Sequence, residues 1–193
     1  MIRLTAKKMG LPGTLRIIGG EFRGRRLPVL DRPDLRPTPD RVRETLFNWL
    51  MPVISGARCL DLFAGSGALG FEAASRGAQR VTMIDRSAAV VRVLNDNVRL
   101  LKASQVNVIQ ANAFDWLRSG ALPFDLVFLD PPFSANLLGR TCDDLHRGGW
   151  LAKKAWVYLE APESSGLPDL PPEWTLIREK RAGSVSFRLA ETG

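Results

Sequence analysis

A doubly wound α/β fold is what this chain predicts, and three observations carry the prediction. After residue 56, short apolar segments alternate with segments of helical spacing, joined by glycine turns. Runs such as Leu126-Val127-Phe128-Leu129 are apolar on both faces, as strands buried in a parallel sheet must be. Near the end, residues 174–180 and 184–189 flank Ala182-Gly183, which predicts an antiparallel hairpin closing the sheet. Strand and helix in alternation imply right-handed crossovers, with helices on both faces.

The elements follow in order. Residues 15–18 and 26–29 flank Gly19-Gly20 and Gly24 and predict a small hairpin. Thr38-Pro39 predicts an N-cap with proline at the first helical position. Val42, Leu46, Trp49 and Leu50 then recur at helical spacing, leaving Arg41 and Arg43 for the exposed side. Residues 57–61 form a strand ending on an acid, and residues 68–76 a helix stopped by Gly77. Residues 80–84 form a second strand, followed by Asp85. Val90, Leu94, Asn97, Val98 and Leu101 mark one face of the next helix. Residues 106–110, 124–130 and 155–160 are further strands. The chain divides into a flexible basic tail (1–14), a basic hairpin and helix extension (15–52) and a main domain (53–193). Met9 offers an alternative start.

The 193 residues are 45% apolar and 24% charged, enough for a real core rather than a disordered chain. No apolar run reaches the roughly 20 residues that a membrane-spanning helix needs. Cys59 and Cys142 form no CxxC pair and suit a reduced, cytoplasmic protein; with a single histidine, they make no metal site. The net charge of +7 is unevenly placed. Residues 1–48 hold 11 Lys and Arg against 5 Asp and Glu, so nearly all the excess lies in the first quarter. Such asymmetry points to a nucleic-acid-facing arm on a nearly neutral domain. Arg16, Arg23, Arg25, Arg26, Arg36, Arg41 and Arg43 are its candidate RNA contacts, because arginine forks hold phosphates and stack on bases.

Two motifs carry chemistry. In Asp61-Leu62-Phe63-Ala64-Gly65-Ser66-Gly67-Ala68-Leu69-Gly70 a strand runs into a glycine turn and a helix. Gly65 to Gly70 satisfies GxGxxG, and Asp85 follows 20 residues after Gly65, so a nicotinamide dinucleotide is one reading. Asp61 opposes it, since a carboxylate before the turn would repel a pyrophosphate. S-adenosylmethionine suits both acids: its ammonium answers Asp61, and its ribose hydroxyls answer Asp85. Phe63 and Arg86, beside these acids, and Asn112 with Ala113, after the 106–110 strand, complete the candidate cofactor site. The second motif is Asp130-Pro131-Pro132-Phe133, at the end of a strand where open α/β sheets bind ligands. The Asp130 carboxylate and the Pro131 carbonyl can accept the hydrogens of an exocyclic base amine and so aim its lone pair. Pro132 stiffens the loop, and Phe133 offers a stacking face.

Ile17-Ile18-Gly19-Gly20, Arg23-Gly24-Arg25-Arg26, residues 36–50, the glycine turn and the DPPF loop together resemble the RsmD family. These are bacterial methyltransferases acting on a guanine N2 of 16S ribosomal RNA. The resemblance runs from about residue 15 to the end, including Trp150-Leu151 and Glu179-Lys180-Arg181-Ala182-Gly183. It implies a Rossmann-like class I S-adenosylmethionine-dependent fold with a mostly parallel seven-stranded sheet. It assigns Asp61, Gly65, Gly67, Asp85, Asn112 and Ala113 to the cofactor and Asp130 to Phe133 to catalysis. Asp85 stands where a longer Glu is frequent, and Asn112 where Asp is common. The implied partner is 16S rRNA within the small ribosomal subunit, met by a monomer without metal. An adenine-N6 methyltransferase of DNA or RNA and a non-catalytic RNA-binding protein are the rival readings.

Overall fold

The computed structural model describes residues 13–30, 38–132, 137–166 and 168–193. The predicted tail up to residue 12, Arg32, Arg36 and Phe133 lie outside them. A two-stranded antiparallel hairpin, β1 (Gly13–Arg16) and β2 (Arg26–Val29), precedes the helix α1 (Asp40–Leu50). Then come β3 (Arg58–Asp61), α2 (Ala68–Ser75), β4 (Arg80–Asp85), α3 (Ala88–Leu101), β5 (Val106–Gln110), α4 (Ala113–Trp116) and β6 (Phe124–Leu129). The chain ends with α5 (Leu137–Arg147), β7 (Leu151–Pro162), β8 (Thr175–Ala182) and β9 (Val185–Glu191).

Seven of these strands form one sheet in the order β5-β4-β3-β6-β7-β9-β8. The first five in that order run parallel, and β9 pairs antiparallel with both β7 and β8. The chain leaves β3 in one direction, through β4 to β5, and returns to its other side at β6. The sheet therefore has its topological switch point between β3 and β6, where doubly wound folds open a ligand crevice.

The predicted extension shares the core of the main domain. Leu15, Ile17, Leu27, Leu46, Phe47 and Leu50 are all at most 2% exposed and pack in one cluster with Phe71, Met83, Phe128 and Tyr158. The opposite face of the sheet has its own cluster, built on Leu60, Val127, Leu159 and Trp150.

Two local expectations are corrected. Thr38 does not cap α1: Pro39 occupies the N-cap, without a side-chain hydrogen bond, and its carbonyl accepts from Val42 and Arg43 N–H. Arg43 is not on the exposed side of α1; it is 1% exposed. Its guanidinium bonds the Thr38 and Arg16 carbonyls and pairs with Asp40 at 2.6 Å and Glu72 at 3.4 Å. A cation committed to four internal partners holds the helix in place and has no face left for a phosphate.

Candidate active site

Asp61 ends β3 and is almost fully buried, because Leu60 and Leu62 on either side anchor the strand in the apolar core. Its carboxylate accepts the Gly70 N–H at 3.1 Å. That approach depends on Gly70, where a Cβ would lie 2.3 Å from the Met83 methyl and 3.2 Å from the Asp61 oxygen. Gly67, with φ of 77°, starts α2 in the left-handed region, and a Cβ there would come within 2.7 Å of Phe71 and Leu94. Burial drives the Asp61 carboxyl up to about 7, helped by the negative charge of Asp85 and opposed by the Gly70 and Phe63 N–H groups.

Asp85 ends β4, and the edge of the turn is tied to it. One oxygen accepts the Gly65 N–H at 3.1 Å and the other the Ser87 N–H at 2.8 Å. Each oxygen keeps a further acceptor site. Arg86 is exposed beside it, and Phe63 is half-buried. Asn112, which is exposed, caps α4, its side-chain oxygen accepting the Phe114 N–H at 3.0 Å. Ala113 is buried at the first position of that helix.

Asp130 follows β6 directly, next to Asp61 across the switch point, and Pro131 is buried behind it while Pro132 is exposed. Burial raises its carboxyl well above the ordinary range, the charges of Glu160 and Asp61 add to this, and the Thr38 hydroxyl acts in the opposite direction. The Thr38 hydroxyl thus lies near the carboxyl and does not cap the helix. Three residues here were not expected from sequence: Thr38 in this role, Glu160 and Tyr158. Glu160 is 5% exposed, and its Oε2 accepts the Tyr158 hydroxyl at 2.7 Å. A signal for Glu160 existed, since it ends an apolar strand on an acid, the same pattern as at Asp61, Asp85 and Asp130.

Asp61, Asp85, Asp130 and Glu160 therefore gather at the carboxyl ends of β3, β4, β6 and β7. Among the described residues no Lys, Arg or His is paired with any of them. A pyrophosphate would meet only repulsion here, whereas a cationic ligand with hydroxyls finds acceptors. Among the described residues there is no group of metal-ligating side chains and no helix long and apolar enough to cross a membrane.

Of the arm, Arg23, Arg25, Arg26 and Arg41 are exposed, and Arg25 bonds the Leu100 carbonyl at 3.2 Å. Arg16 is 57% exposed but pairs with Asp40. Arg41 lines a groove of about 210 Å³ together with Thr45, Lys180 and Arg181, so the last hairpin adds cations to the arm.

The family model described as "Conserved hypothetical protein 95" matches residues 15–191. The ribosomal RNA small subunit methyltransferase D of Escherichia coli K12 is 53% identical over 92% of this chain and 89% of that protein. Its Haemophilus influenzae counterpart is 47% identical over 95% and 98%. The solved structure of yhhF from Escherichia coli superimposes with a TM-score of 0.88 at 50% identity, over 93% of this chain and 98% of that one. A more distant structure, SMU.776 complexed with SAH, shares 15% identity at a TM-score of 0.68 and so speaks to the fold alone. With a match across nearly its whole length, this chain belongs to the ribosomal RNA small subunit methyltransferase D family.

Proposed function

We infer that this chain is an S-adenosylmethionine-dependent methyltransferase that modifies the exocyclic N2 amine of a guanine in the 16S RNA of the small ribosomal subunit. Family membership supports the reaction class and the RNA. The observation that carries the site is the gathering of Asp61, Asp85 and Asp130 around the glycine turn, with no cation paired to them among the described residues. When bound, S-adenosylmethionine supplies a methyl group activated by a positively charged sulfur. Asp61 would face its ammonium and Asp85 its ribose hydroxyls, and Gly65 and Gly67 would let the backbone of the turn approach it closely. Phe63, Arg86, Asn112 and Ala113 line the same crevice.

Asp130 and the Pro131 carbonyl accept the two hydrogens of the guanine amine, which frees its lone pair from the ring and directs it at the methyl. Alignment of this kind contributes several kcal/mol to a transfer step. Once methylated, the nitrogen carries an extra proton, and the Asp130 carboxylate, with its raised proton affinity, is placed to receive it. A base must leave its stack to reach this depth. Phe133 is the expected stacking partner, and the exposed arginines of the arm hold the surrounding phosphates. The enzyme acts as a monomer in the cytoplasm, where the small subunit is assembled.

The test is transfer of labelled methyl to small subunits from a strain lacking this protein, with the product nucleoside identified by mass spectrometry. N2-methylguanosine is expected, and N6-methyladenosine would overturn the guanine reading. Asp130→Ala should reduce single-turnover transfer by at least about 100-fold and leave cofactor affinity within about twofold by calorimetry. Near-normal turnover would move the catalytic centre elsewhere.

A further inference from the structure

Asp130 and Glu160 occupy matching places on adjacent parallel strands. Phe128 stands opposite Tyr158 and Leu129 opposite Leu159, so the register continues to Asp130 and Glu160. Side chains alternate along a strand, so Tyr158 and Glu160 lie on the same face of β7, and Phe128 and Asp130 on that face of β6. This is the face covered by α1, where Thr38 meets Asp130. Neighbouring strands are about 4.8 Å apart, so the two carboxyls can converge on neighbouring donors of one base.

Glu160 is costly where it is. A buried carboxylate needs a cation or several donors. Among the described residues it has no paired cation, it accepts only the Tyr158 hydroxyl, and Oε1 has no donor. Asp130, another acid, lies close enough for the two charges to repel. The fold thus leaves one oxygen of this buried side chain without a donor among the described residues, beside the amine-binding carboxylate. The Watson–Crick edge of guanine fits that gap: the N2 amine and the N1–H are adjacent donors. An N1 that carries a lone pair, as in adenine or 2-aminopurine, would face a carboxylate with no hydrogen to offer.

We propose that Glu160 is the specificity-determining residue of this site, held by Tyr158 to accept the N1–H of the target guanine while Asp130 and Pro131 take its N2 hydrogens. This rests on the guanine-N2 reading above and names how the base is told apart.

The test uses reconstituted small subunits carrying guanine or 2-aminopurine at the mapped target nucleotide. The analogue keeps the reactive N2 amine but has a bare N1. The wild-type enzyme should prefer guanine by about 10- to 100-fold in kcat/KM, the range for one well-placed base contact. Because the analogue also lacks O6, Glu160→Gln assigns the preference: the variant should lose most of it by slowing on guanine but not on 2-aminopurine, with cofactor affinity unchanged. Tyr158→Phe removes one hydroxyl and should narrow the preference in the same direction, which keeps the test open if Glu160→Gln does not fold. Equal wild-type rates on both bases, or an undiminished preference in Glu160→Gln, would overturn the proposal. Transfer to neither base would instead overturn the guanine-N2 reading, and the proposal with it.

Discussion

At the scale of single residues, the acids of the site are tuned by where the strands end. Asp61 could be picked out in sequence because it precedes a glycine turn, but its depth could not. Burial comes from Leu60, Leu62 and the close approach of Gly70 and Met83, which only the packed sheet brings together. The consequence is a pH dependence of definite sign. In the unfolded chain Asp61 loses its proton near 3.8, whereas in the folded protein it keeps it to about 7. Between these values folding takes up a proton, so this residue lowers stability as pH rises through that window. A cationic ligand favours the ionised form and must expel the proton below 7. Cofactor affinity should therefore rise by up to about tenfold per pH unit until pH 7 and then level off. Calorimetry across pH 5.5–8.5, in two buffers of different ionisation enthalpy, reads both the affinity and the proton released. Asp61→Asn should flatten the profile; a wild-type profile already flat would show that Asp61 does not face the charge.

At the scale of elements, strands and helices with strong apolar patterns were legible, and Arg43 shows what was not. The spacing of Val42, Leu46 and Leu50 located α1, but the buried stripe also includes Arg43 and Phe47. Helical phase puts Arg43 three residues before Leu46 and four before Phe47, inside that stripe whatever its charge. Residue type alone suggests the opposite face. Its destination, Glu72, lies in the next helix and is fully buried; it also accepts the Ile18 and Gly19 N–H groups at 2.9 and 2.8 Å and pairs with Arg76. One carboxylate thus ties the hairpin, α1 and α2 together, a long-range contact no local pattern announces. Helices α4 and α5 escaped for other reasons. The first is a single turn, and the buried stripe of the second includes Thr141 and Cys142. Arg43→Ala should remove a cation from a buried pair and cost about 3 kcal/mol in urea unfolding, at the low end for such losses because Arg76 remains. A loss below about 1 kcal/mol, the worth of an exposed pair, would show the clamp to be dispensable.

At the scale of the whole molecule, charge is separated: carboxylates line the carboxyl ends of the central strands, and exposed arginines sit on the hairpin and along the rim of α1. The basic first quarter of the sequence made the arm visible, but not which of its cations are committed inside the protein. Arg43 is consumed inside, Arg16 pairs with Asp40, and Arg25 is bonded to Leu100. The groove at Arg41 instead gains Lys180 and Arg181 from later in the chain, Arg181 being paired with Glu163 at 2.7 Å. Changing Arg23, Arg26 and Arg41 together to Ala should reduce the log–log salt slope of RNA binding by about 0.7 per lost phosphate contact. Filter binding of 16S RNA at several salt concentrations measures it. An unchanged slope would reduce the arm to a solubilising surface.

The place of β9 in the sheet has a consequence for biosynthesis. It lies between β7 and β8, yet both of its partners leave the ribosome before it. Until residues 185–191 emerge, β7 has an open edge and β8 has no neighbour to pair with. The nascent chain can assemble the parallel strands and seat its hairpin early, but the wall holding Glu160, which is registered against Phe187, closes only at the end. An exposed strand edge invites pairing with other chains. The open edge of β7 is thus exposed until the last strand is in place, and an RNA-binding surface present before its pocket is complete cannot yet modify what it holds.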